Sequence, residues 1–284
     1  MIEISNFSFK YRESDQPVVS GIELTIPDGA FVGITGAAGS GKSTLTYALN
    51  GIIPHCYPGD FYGSVTVDGL DTCDVALTDV SRLVGSVCQD VDSQFVTSVV
   101  EDEMLYGLEN FGVPRDEIEG RLEQALDDMG IADLRDRTIT SLSGGQKQKV
   151  AIASILALNP RVLVLDEPTA GLDPAGRENL MANIRDYHRN KKRTIILVSH
   201  SMDEIARNVD RILVLKSAHV LMSGTPAEVF ARAEELLSAG LDVPQVTRIA
   251  MRLREQGLAI DPAVYTVETL ERELLALRRG ETGC

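Results

Sequence analysis

The chain has 284 residues, 44% of them hydrophobic, which is enough for one large domain with an appendage or for two modest domains. It contains 27 Lys and Arg residues and 42 Asp and Glu residues, which gives a net charge of −15. This negative charge argues against a nucleic-acid backbone as partner. No apolar run approaches the roughly 18 residues of a membrane span, so work at a membrane would require another chain that crosses it.

The start of the chain, MIEISNFSFKY, has neither a basic region nor a long apolar stretch, so we predict no signal peptide. The four cysteines form no CxxC pair and show no other metal-ligand spacing. We therefore predict reduced thiols in a cytosolic protein, most of them small core residues: Cys56, Cys73, Cys88 and Cys284.

Two kinds of strand are predicted. Apolar and polar residues alternate in 1–9, 18–26 and 64–67, which favours an antiparallel sheet with one polar face. Short apolar runs that each lead toward a helix-like segment are typical of buried parallel strands, and they occur at 31–35, 82–88, 161–166 and 194–199. The predicted fold class is α/β.

The segment GAAGSGKS fits the phosphate-loop pattern, between the apolar strand FVGIT and a helix predicted over 44–49. This setting disfavours the alternative, a glycine-rich turn with a chance lysine. Lys42 is expected to reach the β- and γ-phosphates and Ser43 to supply a Mg²⁺ ligand, while the loop backbone surrounds the phosphates. The predicted contacts with ATP come from Gly36, Ala37, Ala38, Gly39, Ser40, Gly41, Lys42, Ser43 and Thr44.

Strand signals stop between residues 93 and 158, where we predict a helical insertion. Just before it, Gln89 is either a polar strand terminator or a Mg²⁺ ligand through its carbonyl oxygen. Phe95 and Val96 are apolar residues in a polar segment, DSQFV, and they either anchor that loop to the core or face a partner.

The stretch LSGGQKQ, 142–148, lies inside this insertion and has two interpretations. Ser143 and Gln146 have capping-box spacing, so the stretch begins a well-capped helix. Capping does not require Gly144 and Gly145 in succession, and their lack of side chains would let a phosphate approach the helix N-terminus. Since the chain already has a phosphate loop, we predict that two copies in a head-to-tail dimer each complete the other's ATP site.

The stretch VLVLDEP, 162–168, ends an apolar strand on two carboxylates. Asp166 can hold Mg²⁺ through water, and Glu167 can deprotonate the attacking water. The alternative is an acidic pair that only solvates the strand end or caps the next helix. His200 closes the strand TIILVSH and is either a structural histidine or a hydrogen-bond donor to the γ-phosphate.

After Gly224 the fold should be complete, and two amphipathic helices are predicted to follow. These helices either pack on their own domain or bind a partner. Their predicted apolar faces are Val246, Ile249, Ala250 and Leu253, and Val267, Leu270, Leu274 and Leu277.

Together LSGGQ, GAAGSGKS, VLVLDEP, AGLD (170–173), Gln89 and His200 resemble the ATPase domain of ABC transporters. The resemblance implies a P-loop NTPase fold of ABC type in residues 1–230, with an antiparallel β subdomain and a helical subdomain at about 93–158, and a C-terminal helical extension in 231–284. It also implies an Mg-dependent ATPase. The site residues it adds are Tyr11 stacked on adenine, Ser143, Gly144, Gly145 and Gln146 at the partner's γ-phosphate, and Asp173 at the subunit junction.

Residues 89–114 further resemble the ATPases of energy-coupling factor (ECF) transporters, which import vitamins and metal ions. This resemblance implies a peripheral protein on the cytoplasmic face of the cell membrane. Its expected partners are a second, identical or related ATPase subunit, a transmembrane coupling protein and a substrate-binding membrane subunit, with no nucleic acid. Asp90 and Val91 replace the family's usual Asn-Pro. A soluble ABC ATPase of DNA repair or cofactor assembly, or the ATPase of another ABC transporter class, remains the alternative.

Overall fold

The computed structural model describes residues 1–279, so Cys284 lies outside the described residues. Ten strands form two sheets. The strands are β1 Ile2–Tyr11, β2 Val19–Ile26, β3 Phe31–Gly36, β4 Gly59–Val67, β5 Leu70–Asp71, β6 Val84–Val87, β7 Val162–Asp166, β8 Thr194–Val198, β9 Arg211–Lys216 and β10 His219–Gly224.

Twelve α-helices lie in the described part of the chain, together with 3₁₀ turns at Ala132–Leu134 and Ile139–Ser141. None of these helices is both long and apolar enough to span a membrane. The helices are α1 Lys42–Leu49, α2 Ile52–His55, α3 Leu77–Leu83, α4 Val100–Asn110, α5 Arg115–Met129, α6 Gly144–Ala157, α7 Pro174–Lys191, α8 Met202–Asn208, α9 Pro226–Phe230, α10 Ala233–Ser238, α11 Gln245–Glu255 and α12 Val267–Arg279.

The larger sheet has the strand order β10-β9-β3-β8-β7-β6, and only β10 runs antiparallel to its neighbour. The central residues of its parallel strands are mostly apolar and buried because both faces of the sheet are covered. In β7, Leu163 and Leu165 belong to one buried cluster, whereas Val162 and Val164 belong to the other. The carboxyl ends of β3, β6, β7 and β8 therefore meet at one edge of the sheet.

The smaller sheet, β2-β1-β4-β5, is antiparallel, as the alternating pattern predicts. Its buried side chains, among them Phe7, Phe9 and Val65, share the second cluster with α1 and one face of the larger sheet. Strands β1 and β4 extend beyond their predicted bounds, since they pair from Ile2 opposite Val67 to Tyr11 opposite Gly59, whereas β2 matches its predicted range to within one residue. This pairing places the end of β1 beside the segment that enters β4.

The predicted helical insertion consists of α4, α5 and α6, which pack against one another. Arg135 ties the first two together, because its guanidinium donates to Glu101 at 2.5 Å and to Glu119 at 2.6 Å. These exposed or half-exposed ion pairs add little stability individually, and the buried apolar faces of the helices supply most of it.

Helices α9 and α10 pack on the main core through Phe230, Ala233 and Leu236. A separate small cluster begins at Val246 and joins α11 to α12. The division of the chain at residue 230 remains a prediction.

Two sequence-based expectations are wrong: the strand beginning at Arg82 and the core positions of the cysteines. Arg82 and Leu83 end helix α3 rather than beginning a strand, because Val80 and Leu83 have the i, i+3 spacing of a helical apolar face and both contact the second cluster. Ile249 and Val267 are exposed. Leu274 is also exposed, so only part of each predicted C-terminal apolar face is buried. The thiols Cys56 and Cys88 are exposed and Cys73 is half-buried, so these cysteines are not core residues.

Candidate active site

The loop Gly36–Ser43 joins β3 to α1, and close packing requires glycine at two of its positions. A Cβ on Gly36 would lie 2.2 Å from the carbonyl oxygen of Leu215, and one on Gly41 would lie 2.6 Å from Cγ1 of Val19. A Cβ on Gly39 would meet nothing within 4 Å, so the loop is open on that side. The loop is therefore packed tightly against the core and leaves room for a ligand outside it.

Lys42 begins helix α1 and is buried, yet no carboxylate of residues 1–279 lies within ion-pair distance of it. Its Nζ donates to the carbonyl oxygens of Gly36 and Ala37, both at 2.9 Å. Burial lowers the pKa of Lys42, whereas the charges of Glu167 and Asp166 raise it. The ammonium group is thus held over the loop in the electrostatic field of the two carboxyl groups.

The hydroxyl of Ser40 is buried without a hydrogen-bond partner, and the side chain of Ser43 is exposed at the start of the helix. An orphaned buried hydroxyl and a glycine open to solvent fit a loop that binds phosphate oxygens. The sequence-predicted phosphate-binding residues are therefore brought together in one loop with unused hydrogen-bonding capacity.

Asp166 is the last residue of β7, and Glu167 follows it with a positive φ of 49°. This unusual backbone turns the chain so that the amide of Glu167 donates to the carbonyl of Val198 at 2.9 Å. Burial raises the pKa of Asp166, and Lys42 and His200 oppose the rise.

Glu167 is the most strongly perturbed carboxyl group of this site. Burial raises its pKa to about 7; a hydrogen bond from the His200 backbone opposes the rise, and the nearby charge of Asp166 adds to it. Its Oε1 is buried and has no hydrogen-bond partner among residues 1–279. A carboxyl group with this pKa can accept a proton near neutral pH, as a general base must.

The imidazole of His200 lies beside this carboxyl group, with Nε2 at 3.5 Å from Oε1 of Glu167, which is longer than a hydrogen bond. Burial and the charge of Lys42 lower the pKa of His200, so the ring is mainly neutral at pH 7. The His200 side chain is 58% exposed and accessible to a ligand. The sequence-predicted catalytic residues Lys42, Glu167 and His200 therefore meet at one edge of the sheet.

Sequence analysis missed Glu204, a residue of helix α8 that forms hydrogen bonds at this edge of the sheet. Thr169, just after the carboxylate pair, donates to Oε2 of Glu204 at 2.5 Å. The backbone amide of Glu204 donates to Ser201, beside His200, at 3.3 Å. Glu204 thus links the loop after β7 to the loop after β8, although 35 residues separate it from Thr169.

Gln89 is exposed two residues beyond the end of β6. The nearby side chain of Gln94 accepts from the amide of Cys88 at 3.1 Å and donates to the carbonyl of Ser86 at 3.4 Å. Gln94 therefore shapes the turn that carries Gln89.

One apolar residue of DSQFV contacts the core and the other faces solvent. Phe95 is partly buried against the main core, whereas Val96 is 63% exposed. Buried Glu103 fixes the loop by accepting from the amides of Val96 and Thr97 at 3.0 and 2.7 Å. Asp92 pairs with Lys147 of helix α6 at 2.7 Å, which joins this segment to the LSGGQ helix.

The LSGGQ stretch forms the predicted capping box. The amide of Gln146 donates to the Ser143 hydroxyl at 3.3 Å, and the amide of Ser143 donates to the Gln146 side chain at 2.9 Å. A Cβ on Gly144 would meet nothing within 4 Å, so space is open in front of the helix. Capping and an exposed N-terminus coexist here.

The LSGGQ turn lies next to the AGLD loop of the same chain. A Cβ on Gly145 would lie 3.6 Å from Cδ2 of Leu172. Asp173 follows and caps helix α7, since its side chain accepts from the amide of Gly176 at 2.8 Å. No hydrogen bond within residues 1–279 joins Ser143–Gln146 to the phosphate loop.

Tyr11 ends β1 and reaches the phosphate-loop helix, because its hydroxyl lies 3.1 Å from Oγ1 of Thr44. Its ring is half-buried and lines a cavity together with Tyr47 and Tyr57. Tyr11 is therefore positioned next to the phosphate loop, as an adenine-stacking residue must be.

The oxygen atoms at this edge suit Mg²⁺. Ser43 offers a hydroxyl, Asp166 a carboxylate and Gln89 an amide carbonyl, all of them hard ligands. In the described residues, no three His, Cys, Asp or Glu side chains form a metal cluster. Such a sparse set fits an ion that takes its other ligands from water and nucleotide phosphates.

The comparisons with known proteins agree with this geometry. Residues 19–170 match the family described as ABC transporter. The chain is 41% identical to the energy-coupling factor transporter ATP-binding protein EcfA2 of Caldanaerobacter subterraneus subsp. tengcongensis, over 98% of both chains.

Solved structures give the same result. CbiO1 of Clostridium perfringens, part of the ABC transporter complex CbiONQ, aligns with a TM-score of 0.75 and 32% identity, covering 89% of this chain and 98% of that one. The ATP-binding cassette MJ0796, in a dimeric post-hydrolysis state bound to ADP and Pi, aligns with a TM-score of 0.68 and 25% identity over 79% and 98%. The chain therefore belongs to the ATP-binding proteins of ABC transporters, with the P-loop NTPase fold of that family, and is an ATP-hydrolysing enzyme.

Proposed function

We propose that this chain is the Mg-dependent ATPase subunit of an ECF-type importer for a vitamin or metal ion. It would work on the cytoplasmic face of the cell membrane, bound to a transmembrane coupling protein and a substrate-binding membrane subunit. The observation that carries this proposal is the reach of the similarity. EcfA2 matches 98% of this chain, C-terminal extension included, whereas the cassette MJ0796 covers 79%.

The proposed hydrolytic roles follow from the geometry of the sheet edge. Glu167, with a pKa of about 7, deprotonates the attacking water. Lys42 and the loop amides stabilise the charge on the β- and γ-phosphates, and neutral His200 donates a hydrogen bond to the transferring phosphoryl group. Mg²⁺, when held by Ser43, Asp166 and Gln89, would neutralise phosphate charge.

The proposed active unit is a head-to-tail dimer with an identical or related subunit. The start of helix α6 is an open anion cradle formed by Ser143, Gly144, Gly145 and Gln146. This cradle is separate from the phosphate loop of the same chain. The cradle lies beside Leu172, the residue before Asp173 in the AGLD loop. The AGLD loop would therefore meet the partner at the same interface. Each ATP would then contact the phosphate loop of one subunit and the LSGGQ turn of the other.

ATP binding would provide the work that moves the membrane partner. A ligand that binds only the closed dimer favours closure by about 2.7 kcal/mol per site at a hundredfold excess over Kd, or roughly 5 kcal/mol for two sites. Hydrolysis then removes this bias. The Asp92–Lys147 ion pair gives a physical link between the LSGGQ helix and the segment proposed to contact the coupling protein.

Val96 is the residue through which we propose to test that contact. It is the exposed apolar residue of the DSQFV segment, and Glu103 holds its backbone in place. Val96→Glu should leave ATP turnover unchanged in the isolated protein but reduce the membrane protein recovered with the tagged chain from detergent extract. Tyr62→Glu is the matched control, since Tyr62 is also 63% exposed and lies on the antiparallel sheet.

Equal recovery with Val96→Glu and Tyr62→Glu would contradict the proposed contact. Recovery of no membrane protein with the wild-type chain, together with ATPase stimulation by DNA, would replace the transporter proposal with a soluble ABC ATPase.

A further inference from the structure

A second group of aromatic side chains surrounds the cavity beside Tyr11. Tyr57 lies in the turn between α2 and β4, and its ring centroid is 6.3 Å from that of Tyr11, with the planes at 77°. Tyr47 of helix α1 stacks behind it at 5.9 Å and 18°. The three rings, with Pro58, line one cavity of about 720 Å³.

This cavity opens next to the phosphate loop. The Tyr11 hydroxyl is bound to Thr44, which follows Lys42 and Ser43 on helix α1, and Tyr47 lies on the next turn of the same helix. A ligand whose phosphates occupy the loop would place the group attached to them toward these rings. The cavity is also within the size range of small-molecule sites.

The position of Tyr57 is fixed by the backbone. Gly59, two residues later, pairs with Tyr11 across β1 and β4. A Cβ on Gly59 would lie 2.4 Å from the carbonyl of Lys10 and 2.6 Å from the Phe9 ring, so this close approach depends on glycine. The strand pairing therefore holds Tyr57 opposite Tyr11 before any ligand binds.

Tyr57 is nevertheless 50% exposed, although one side of it packs against Tyr47. Exposed aromatic surface beside a phosphate-binding loop suits a flat aromatic group, since such groups gain by stacking and by edge-to-face contact. Because the two rings are nearly perpendicular, a base stacked on one of them meets the other edge-on.

We propose that Tyr57, supported by Tyr47, is a second wall of the nucleotide-base site and contacts the edge of a purine stacked on Tyr11. This inference rests on the proposed nucleotide site. It adds a base contact from a segment, HCYPGD, that no sequence motif marks.

The test compares Kd values for Mg-ATP and for Mg-tripolyphosphate, which has no base, by calorimetry on the full chain. Tyr57→Ala should raise the Kd for ATP about tenfold, equivalent to about 1.4 kcal/mol and within the range of one base–aromatic contact. The tripolyphosphate Kd should stay within twofold. Tyr57→Phe should bind ATP like the wild type, and Tyr62→Ala should as well.

The possible outcomes distinguish failure of the Tyr57 contact from failure of the proposed nucleotide site. An unchanged ATP Kd in Tyr57→Ala, with wild-type binding intact, would overturn the Tyr57 contact alone. An equal loss of tripolyphosphate binding would also overturn it, because the effect would then come from the phosphate loop. Failure of the wild-type chain to bind either ligand would instead reject the proposed nucleotide site.

Discussion

Replacing Glu167 with glutamine should stabilise the protein in a pH-dependent way. In an unfolded chain the glutamate ionises near 4.5, whereas burial raises its pKa to about 7 in the folded protein. The folded state therefore holds this proton more tightly. Its contribution to stability is fully present below about pH 4.5 and is lost as the pH rises through about 7. Glutamine does not ionise, so the variant does not lose this stability as the pH rises.

The size of the effect follows from the two pKa values. A gap of about 2.5 pH units corresponds to at most about 3.4 kcal/mol at alkaline pH. The Glu167 side chain is 14% exposed, and water screens part of this energy. We expect the stability gained by Glu167→Gln to be about 2 kcal/mol larger at pH 8 than at pH 5.

Urea unfolding of nucleotide-free wild type and variant at both pH values measures this difference. Glu109→Gln is the control, since Glu109 is an exposed glutamate of helix α4 and its replacement should give the same small change at pH 5 and pH 8. A Glu167→Gln variant that is less stable than the wild type at pH 8, or equally shifted at both pH values, would refute the reasoning.

The same pKa predicts the pH dependence of hydrolysis. Only the ionised carboxylate accepts a proton, so wild-type turnover should rise about tenfold from pH 6 to pH 8, with a midpoint near 7. Glu167→Gln should lose turnover by about 10²–10⁴-fold while it still binds Mg-ATP. Steady-state ATPase assays across this pH range, beside equilibrium binding, distinguish loss of the base from loss of the site.

Three further changes are expected to have distinct effects. Lys42→Ala should abolish hydrolysis and weaken ATP binding, because the loop loses its cation; near-normal turnover in an ATPase assay would contradict the assigned role. Glu103→Ala should cost about 2–3 kcal/mol in urea unfolding, because two backbone amides and a hydroxyl lose their acceptor, and a neutral result would mean that water replaces it. Thr169→Val should cost about 1–3 kcal/mol and reduce turnover more than ATP affinity, because buried Glu204 loses its donor. Equal kcat in Thr169→Val would show that this hydrogen bond does not position Glu167.

The parts of the fold that sequence predicted are those with local patterns. The apolar run VLVLD indicates a strand buried on both faces, and β7 is such a strand. Ser143 and Gln146 form the capping box that their spacing predicts. The helical insertion predicted between residues 93 and 158 contains α4, α5 and α6. In each case the residues that determine the structure are neighbours along the chain.

The missed features depend on contacts between distant segments. Glu204 meets Thr169 across 35 residues, and Tyr57 faces Tyr11 only because β1 pairs with β4. Ile249 fits an amphipathic helix but is exposed, since spacing predicts a helical face and not what covers it. The hydrogen bonds of Gln94 to backbone atoms of Cys88 and Ser86 likewise have no signal in the sequence pattern.

The central claim is that two subunits complete each ATP site, and mixing two inactive variants tests it most directly. Lys42→Ala disables the phosphate loop. Gly144→Arg should fill the LSGGQ cradle without disturbing the fold, since a Cβ at this position meets nothing within 4 Å and the Ser143 cap remains. Gly120→Arg, at an equally open glycine of helix α5, is the control and should remain active.

In a head-to-tail mixed dimer, one site carries both defects and the other carries neither. Equal amounts of the two variants should therefore recover about a quarter of wild-type ATPase activity, since about half of the dimers are mixed and each has one intact site. No recovery, although differently tagged subunits demonstrably co-purify as mixed dimers, would contradict shared sites that hydrolyse ATP independently, because either the sites are not shared or both must act together.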